Sequence, residues 1–215
     1  MVSDRGVRRR RANGEESRRR ILDAAVEIAG ERGYEGTSIK LVSARCGLPA
    51  SSIYWHFKDK DELIAAVIER SFGSWLGAMV LPDADDVADP AARERQRVRG
   101  LAAQVARSLL ESPDFLRLGL MLALERRPEQ PTARTVFLRV RQEARERVSA
   151  AITELAPELG PEQVELLSLY ALAAADGLFI AYQIGGEEVD LLGLFELHAH
   201  ALIDAVARLR GRPEV

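Results

Sequence analysis

The sequence predicts an all-α protein, and three observations support that fold class. Apolar residues recur at helical spacing along nearly the whole chain, and no window shows the sustained alternation of a half-buried strand. Proline and glycine interrupt the pattern at intervals, as at Pro113, Pro157 and Gly185. An acidic, proline-bounded segment, residues 82 to 90, divides the chain. These features predict about nine helices: three in an N-terminal head, a fourth that connects, and five in a second body.

The head is predicted to begin with a helix over residues 14 to 33. Its apolar residues between Ile21 and Ala29 fall on one helical face, so the helix has a side to bury. Gly33 is the expected end of this helix, because glycine readily leaves the helical conformation.

Residues 37 to 57, TSIKLVSARCGLPASSIYWHF, predict two short helices joined by a glycine turn. Thr37 is the expected N-cap of the first, because its hydroxyl can accept from a free backbone N–H group. Val42 and Cys46 lie on the face that this helix would bury. Gly47 is expected in the left-handed conformation, which lets the chain enter the second helix directly.

The second short helix has the composition of a helix that enters the major groove of DNA. Ile53 and Phe57 are one helical turn apart and are expected to face the core. The first residues of the helix are small enough to approach base edges closely. The side chains left free to face DNA are Ala50, Ser51, Ser52, Tyr54 and His56.

At these positions the chain resembles the TetR family of bacterial transcriptional regulators. The matching features are Thr37, the turn Gly47-Leu48, the run IYWHF at 53 to 57, and Lys60 at the start of the fourth helix. The resemblance covers about residues 14 to 74 and depends on many spaced positions. Three residues depart from the usual pattern without altering the expected fold: Ser43, Cys46 and Pro49.

The resemblance implies a helix-turn-helix domain that binds double-stranded DNA as a homodimer at a palindromic operator. Groove contacts are expected from Ala50, Ser51, Ser52, Tyr54 and His56. Phosphate contacts are expected from Thr37, Lys40, Trp55 and Lys60. Members of the family are most often repressors, and a small-molecule effector releases them from the operator.

The charge distribution agrees with a DNA-facing head. Residues 1 to 60 contain 13 Lys or Arg and 8 Asp or Glu, whereas the whole chain has a net charge of −3. A local positive potential attracts phosphate even when the whole chain is acidic. Residues 1 to 13 are predicted as a flexible basic arm, which either lies along DNA or remains a solvated tail.

After the linker, residues 91 to 215 are predicted as a ligand-binding and dimerisation domain. Its helices are expected at about 90 to 111, 114 to 127, 131 to 156, 161 to 185 and 190 to 210. No apolar run is expected to reach the roughly 18 to 20 residues that a membrane span needs, so no membrane association is expected.

The last two helices carry more apolar surface than one small helical domain can bury. Residues 164 to 184 are apolar nearly all round, which predicts burial on several sides. The resemblance implies that the helices at 161 to 185 and 190 to 210 pair with their copies in a four-helix dimer interface. The alternative is that they form only the core of one chain.

The resemblance also implies a small-molecule pocket in the body, lined by apolar, aromatic and a few ionisable side chains. The candidate lining residues are Leu118, Met121, Leu122, Glu125, Phe137, Arg141, Tyr170, Asp176, Phe179 and Tyr182. The alternative for each is a place in the core or in an ion pair. Asp176 interrupts an apolar helix, so it has either a local partner or a ligand to bind.

No catalytic or metal-binding constellation is present in the sequence, so no enzyme activity, metal or cofactor is expected. Cys46 is the only cysteine, which is consistent with a reducing cytoplasm. His198 and His200 are two residues apart and therefore lie on different helix faces. Two other functions remain: a dimeric DNA-binding module without ligand control, and a helical interaction protein.

Overall fold

The structure, a computed structural model, describes residues 4–124 and 131–211, without the side chains of residues 4–12 and of Ala78. Within these ranges the chain forms helices, turns and loops and no strand, which confirms the predicted all-α class. The helices of this part of the chain are α1 Asp4–Gly36, α2 Ile39–Cys46, α3 Ala50–His56, α4 Lys60–Ala78, α5 Pro90–Glu111, α6 Asp114–Leu124, α7 Thr132–Leu155, α8 Pro161–Gly185 and α9 Leu191–Arg210. A 3-10 turn, Gly186–Glu188, precedes α9.

Helix α1 is longer than predicted, because it begins at Asp4 rather than near residue 14. The backbone is therefore helical where a flexible arm was expected. Arginine is a good helix former and no proline interrupts this segment, so the helix can extend toward the N-terminus. Gly33 has φ 67° and ψ −175°, which bends the chain at the glycine that predicted the end of the first helix.

The start of α2 differs from the prediction by one residue. Ser38, and not Thr37, is the N-cap, since its hydroxyl accepts the N–H of Leu41 at 3.3 Å. Thr37 is buried, and its hydroxyl donates to the carbonyl of Gly33 at 2.7 Å. Gly47 has φ 67° and ψ 22°, the left-handed conformation that was predicted for the turn.

The described residues form two compact units. The head unit contains residues 4–72, 114–124 and 131–139, and the body unit contains 73–113 and 140–211. The head unit therefore includes α6 and the first two turns of α7, both of which the sequence had placed in the ligand-binding domain. Periodicity shows that a helix has an apolar face, but it does not show which neighbour covers that face.

The core of the head unit holds the short helix α3 in place. Ile21 of α1, Ile53 of α3 and Leu63 of α4 are fully buried. Phe57, at the C-cap of α3, is buried as well. Burial of one such side chain stabilises the fold by about 1.5–3 kcal/mol, and a helix of seven residues depends on these anchors because it is too short to be stable alone.

Helix α6 packs closely against its neighbours in the head unit. A Cβ atom at Gly119 would lie 1.9 Å from the ring of Phe137, so α6 and α7 meet where only a glycine fits. The methyl group of Met121 lies 3.0 Å from the place that a Cβ atom of Gly33 would occupy. Helix α6 is thus tightly packed against both α7 and the end of α1.

In the body unit, α9 packs against both α5 and α8. One buried cluster contains Ala156, Leu159, Val164 and Leu167, and partly buried residues of α9 such as Leu209 pack against it. These contacts cover one face of α8 and leave another face to solvent.

Helix α8 keeps much of its apolar surface exposed, including Leu166 and Ile184. By length and composition alone, the segment Pro161–Glu188 is long and apolar enough to cross a membrane. Of the residues in its most apolar stretch of 18, 33% are buried. The prediction that no segment reaches this length is therefore wrong. Ser168 and Asp176 interrupt the apolar run, but the mean hydropathy of this stretch stays at 1.7.

Candidate nucleic-acid interface

The side chains of α3 divide between core and solvent. Ile53 and Phe57 are buried, whereas Tyr54 and Trp55 are 57% and 75% exposed. Ser51 is exposed too, and the other predicted groove residues, Ala50, Ser52 and His56, are half-buried. The solvent side of α3 therefore carries hydroxyl groups beside large aromatic rings.

Two hydrogen bonds fix the turn between α2 and α3. The hydroxyl of Ser43 donates to the carbonyl of Leu48 at 2.6 Å. The guanidinium of Arg20, on α1, donates to the carbonyl of Cys46 at 2.6 Å. Carbonyls at a helix end lack intrahelical partners, so these side chains satisfy them and fix the angle at which α3 leaves the turn. Ser43, where the family usually has alanine, thus has a structural role.

Helix α1 also supports the exposed side of α3. A Cβ atom at Gly14 would lie 3.6 Å from the indole of Trp55, so one edge of the ring rests against α1. The guanidinium carbon of Arg18 lies 5.4 Å from the ring centroid of Phe57, within the range of a cation–π contact. Sequence reasoning missed these two residues. Their spacing of four puts them on one face of α1, but nothing in the sequence shows that this face meets α3.

The surroundings of His56 lower its pKa. Burial disfavours the imidazolium ion, and the positive charge of Arg18 adds to that effect. The imidazole ring lies edge-on to Trp55, with the ring centroids 4.5 Å apart. At neutral pH the His56 ring is therefore neutral and offers one donor and one acceptor.

Lys60, at the start of α4, is positioned by residues at the end of α1. Its Nζ atom donates to the carbonyl of Tyr34 at 3.2 Å and lies 4.3 Å from the centroid of that ring. The carboxylate of Glu35 is 3.6 Å away. A cation at a helix N-terminus opposes the helix dipole, so these contacts stabilise a charge that is otherwise unfavourable there.

The two remaining predicted phosphate contacts differ from each other. Lys40, in the first turn of α2, is exposed. Thr37 is 1% exposed, and its hydroxyl donates a hydrogen bond to the carbonyl of Gly33. The predicted phosphate contact of Thr37 is therefore wrong, because its hydroxyl is buried and already donates to Gly33.

The comparisons with known proteins concern this same segment. A family model described as bacterial regulatory proteins, tetR family, matches residues 21–67. These residues include α2, α3, the turn between them and the start of α4. The N-terminal domain of the chain belongs to the TetR family.

Curated relatives of this TetR-family domain are transcriptional regulators. The regulator AcrR of Shigella flexneri is 34% identical over 65 residues, which are 30% of each chain. An HTH-type transcriptional repressor of Mycobacterium tuberculosis is 27% identical over 123 residues, or 57% of this chain and 44% of that protein. The chain thus aligns with less than half the length of these relatives. Their names agree with the prediction that it is not an enzyme.

Solved structures share the fold over most of the chain. A transcriptional regulator from Aquifex aeolicus VF5 has a TM-score of 0.63 at 23% identity and covers 86% of this chain and 97% of its own. SmeT, the repressor of a multidrug efflux pump of Stenotrophomonas maltophilia, has a TM-score of 0.63 at 22% identity, with 87% and 89% covered. The likeness therefore extends from the TetR-family domain to the helices that follow it.

The residues predicted to bind an effector occur in both units. In the head unit, Leu118, Leu122 and Phe137 are buried, and Met121 is about half exposed. Glu125 lies outside the described residues. The buried members contribute to the packing of α6 and α7, whether or not they also line a pocket.

In the body unit, Arg141 and Asp176 form a bidentate ion pair, with N–O distances of 3.0 and 2.6 Å. Burial raises the pKa of Asp176, and the guanidinium of Arg141 opposes that rise. The carboxylate within the apolar helix α8 thus has a local partner. Phe179, three residues after Asp176 in α8, is buried, whereas Tyr170 and Tyr182 are partly exposed.

No group of His, Cys, Asp and Glu side chains among the described residues is arranged to hold a metal ion. Cys46 is buried beside the turn. His198 is buried in the body unit, where desolvation lowers its pKa, and His200 lies 3.5 Å from Glu196.

Proposed function

We propose that the protein is a sequence-specific, DNA-binding transcriptional regulator. The observation that supports this most directly is the exposure of Tyr54 and Trp55 on a short helix anchored by Ile53 and Phe57. Large aromatic side chains held at a surface are well suited to contact a partner. The family of the domain and the names of its relatives support DNA as that partner.

In this proposal α3 enters the major groove, where its side chains contact base edges. Phosphates are held by groups around it, and the net positive charge of residues 1 to 60 draws the duplex to this end of the chain. The groove residues are Ala50, Ser51, Ser52, Tyr54 and His56. The phosphate contacts are Lys40, Trp55 and Lys60.

We further propose that the protein is a homodimer formed through α8 and α9. The exposed side of α8 carries an apolar stripe at helical spacing. A contiguous exposed apolar surface of this kind marks an interface with another protein chain. The stripe contains Leu166, Leu169, Tyr170, Ala173, Gly177, Ile180 and Ile184. A Cβ atom at Gly177 would meet no other atom within 4 Å, so packing within one chain does not account for this glycine.

A two-fold dimer would present two copies of α3 to one duplex. The operator should then be a palindrome, with half-site centres about 34–36 Å apart or a multiple of that distance. A protein that acts on chromosomal DNA works in the cytoplasm, which is the location that we infer.

We propose repression with release by a small molecule as the form of regulation. Two names support the repression: SmeT is named as a repressor, and so is the relative from Mycobacterium tuberculosis. Release requires the effector to bind the DNA-incompetent conformation more tightly than the DNA-competent one. Within the body unit, the effector-binding residues proposed are Arg141, Tyr170, Asp176, Phe179 and Tyr182.

Selection from a random pool of duplex DNA, followed by sequencing of what the purified protein retains, tests the main proposal. We expect enrichment of a two-fold symmetric site. Retention of DNA without an enriched pattern would leave only sequence-independent attraction to the backbone and would contradict the proposal.

Effector control is tested separately, with the enriched duplex as probe. Release of the duplex by a compound that also raises the melting temperature of the free protein would support ligand control. A protein that binds the palindrome but responds to no compound in a broad metabolite library would favour the second candidate, a dimeric DNA-binding module without an effector.

A further inference from the structure

Asp61, in the first turn of α4, completes the N-terminus of α7. Its Oδ2 atom accepts the N–H of Thr132 at 2.5 Å, and its Oδ1 atom accepts the N–H of Ala133 at 3.1 Å. These amides begin the helix and have no partner within it. Pro131 precedes them and has no side-chain acceptor, so the cap comes from a residue 71 positions away in the sequence.

The same carboxylate is connected to the helix-turn-helix through Tyr34. The hydroxyl of Tyr34 donates to Oδ1 of Asp61 at 3.2 Å. The carbonyl of Tyr34 accepts from Lys60 and from the N–H of Thr37, which lies in the corner between α1 and α2. Tyr34 is 7% exposed, so the packing around it restricts its motion. Asp61 therefore joins the start of α7 to the segment that positions Lys60.

The start of α7 is itself fixed in the head unit. Ala133 and Phe137 are buried, and Phe137 rests on Gly119 of α6. Helix α7 then continues without a break to Leu155 and enters the body unit at Val140. A displacement of α7 along or about its axis would carry its first amides away from the Asp61 carboxylate.

We propose that Asp61 couples the N-terminus of α7 to the DNA-binding surface, so that operator binding and the α7 cap stabilise each other. This inference rests on the proposed function. DNA held at Lys60 restricts the first turn of α4, and Asp61 is the next residue along that turn. Because coupling is reciprocal, any event that pulls α7 away from Asp61 weakens operator binding by the same factor by which DNA strengthens the cap.

Amide hydrogen exchange of the full-length protein, with and without a saturating operator duplex from the selection, measures this coupling. We expect exchange of the Thr132 and Ala133 amides to slow by about fivefold or more when DNA binds. Asp61→Ala should remove the slowing and weaken operator binding by a similar factor. Glu69→Gln is the matched control, because Glu69 is also on α4 and pairs with Arg139 of α7 without touching the capped amides.

A milder variant covers the case in which Asp61→Ala does not fold. Tyr34→Phe keeps the ring beneath Lys60 and removes only the hydroxyl that holds Asp61, so it should reduce the slowing. Operator binding with unchanged exchange of these amides would overturn the coupling alone. Full slowing in a folded Asp61→Ala protein would do the same. Failure of the wild-type protein to bind any selected duplex would overturn the proposed function together with the coupling.

Discussion

Arg20 on α1 donates a hydrogen bond to the carbonyl oxygen of Cys46 across 26 residues of sequence, at 2.6 Å. Cys46 is the last residue of α2, and carbonyl groups at a helix C-terminus have no intrahelical N–H partner. The bond therefore holds the end of α2 and the following turn against α1. Arg20 supports the orientation of α3 without lying on α3 itself.

Replacement of Arg20 by alanine should lower the free energy of unfolding by about 1 kcal/mol. A hydrogen bond from a charged donor is worth about 1.5–3 kcal/mol, and solvent around the guanidinium reduces that value. Arg19→Ala is the matched control, since Arg19 pairs with exposed Glu16 in the same helix. Urea unfolding of the free protein measures both variants, and equal midpoints would contradict the role of Arg20.

Truncation of two adjacent residues of α3 should affect different properties, stability in one case and operator binding in the other. Ile53→Ala should destabilise the protein by about 2–5 kcal/mol, because Ile53 is fully buried. Tyr54→Ala should leave the melting temperature and the oligomeric state nearly unchanged but weaken operator binding. Thermal unfolding and a titration with labelled operator duplex separate the two effects, and a large loss of stability in Tyr54→Ala would assign Tyr54 to the core.

Lys60→Met should weaken binding to all duplexes alike and lower the slope of log affinity against log salt by about 1. Methionine keeps an apolar stem against the Tyr34 ring while removing the charge. Titrations at several salt concentrations, with an operator duplex and a scrambled duplex, give the slope. The same slope as in the wild-type protein would mean that Lys60 serves its contacts with Tyr34 and Glu35 and holds no phosphate.

Asp114, in the first turn of α6, should make stability depend on pH. Burial raises its pKa in the folded protein, and nearby Arg117 and Arg70 only partly oppose the rise. Because the folded-state pKa is raised, its contribution to stability is fully present below the ordinary pKa of the carboxyl and is lost as the pH rises through the folded-state pKa. Asp114→Asn should therefore raise the melting temperature at neutral pH.

The advantage of Asp114→Asn should shrink as the pH falls toward the ordinary aspartate value, because the wild-type carboxyl is then protonated too. Asp85→Asn, at an exposed position of the linker, is the control for the loss of one negative charge. Calorimetry across the acidic range measures both variants. A gain for Asp114→Asn that stays constant with pH would point to a cause other than this titration.

Charged substitutions on the outer side of α8 should separate the dimer into monomers. Ile184→Glu and Leu169→Glu each place a carboxylate within the proposed apolar interface, where burial of an unpaired charge is costly. Leu138→Glu is the control, because Leu138 is also an exposed apolar residue but lies on α7 in the head unit. Sedimentation should show monomers for the α8 variants alone. Dimers that persist in both α8 variants would place the interface elsewhere.

Local features of the head could be predicted because a few neighbouring residues determine them. The left-handed turn at Gly47 follows from glycine between two helical segments, and the buried positions of Ile53 and Phe57 follow from their spacing. The cap of α2 was assigned to Thr37 instead of Ser38, because both have the hydroxyl that a cap requires. The tertiary structure separates them, since the Thr37 side chain turns inward to the carbonyl of Gly33.

The helical class, most helix boundaries and the two faces of α3 could be predicted from residue order alone, because helical periodicity and chain breaks are local properties. Three features became known only from the folded chain: α6 packs in the head unit, Trp55 rests against α1 near Gly14, and Asp61 caps α7. Each of these depends on contacts between residues far apart in sequence. An apolar face or a free carboxylate specifies that it needs a partner, whereas the packing of the whole chain selects which partner it meets.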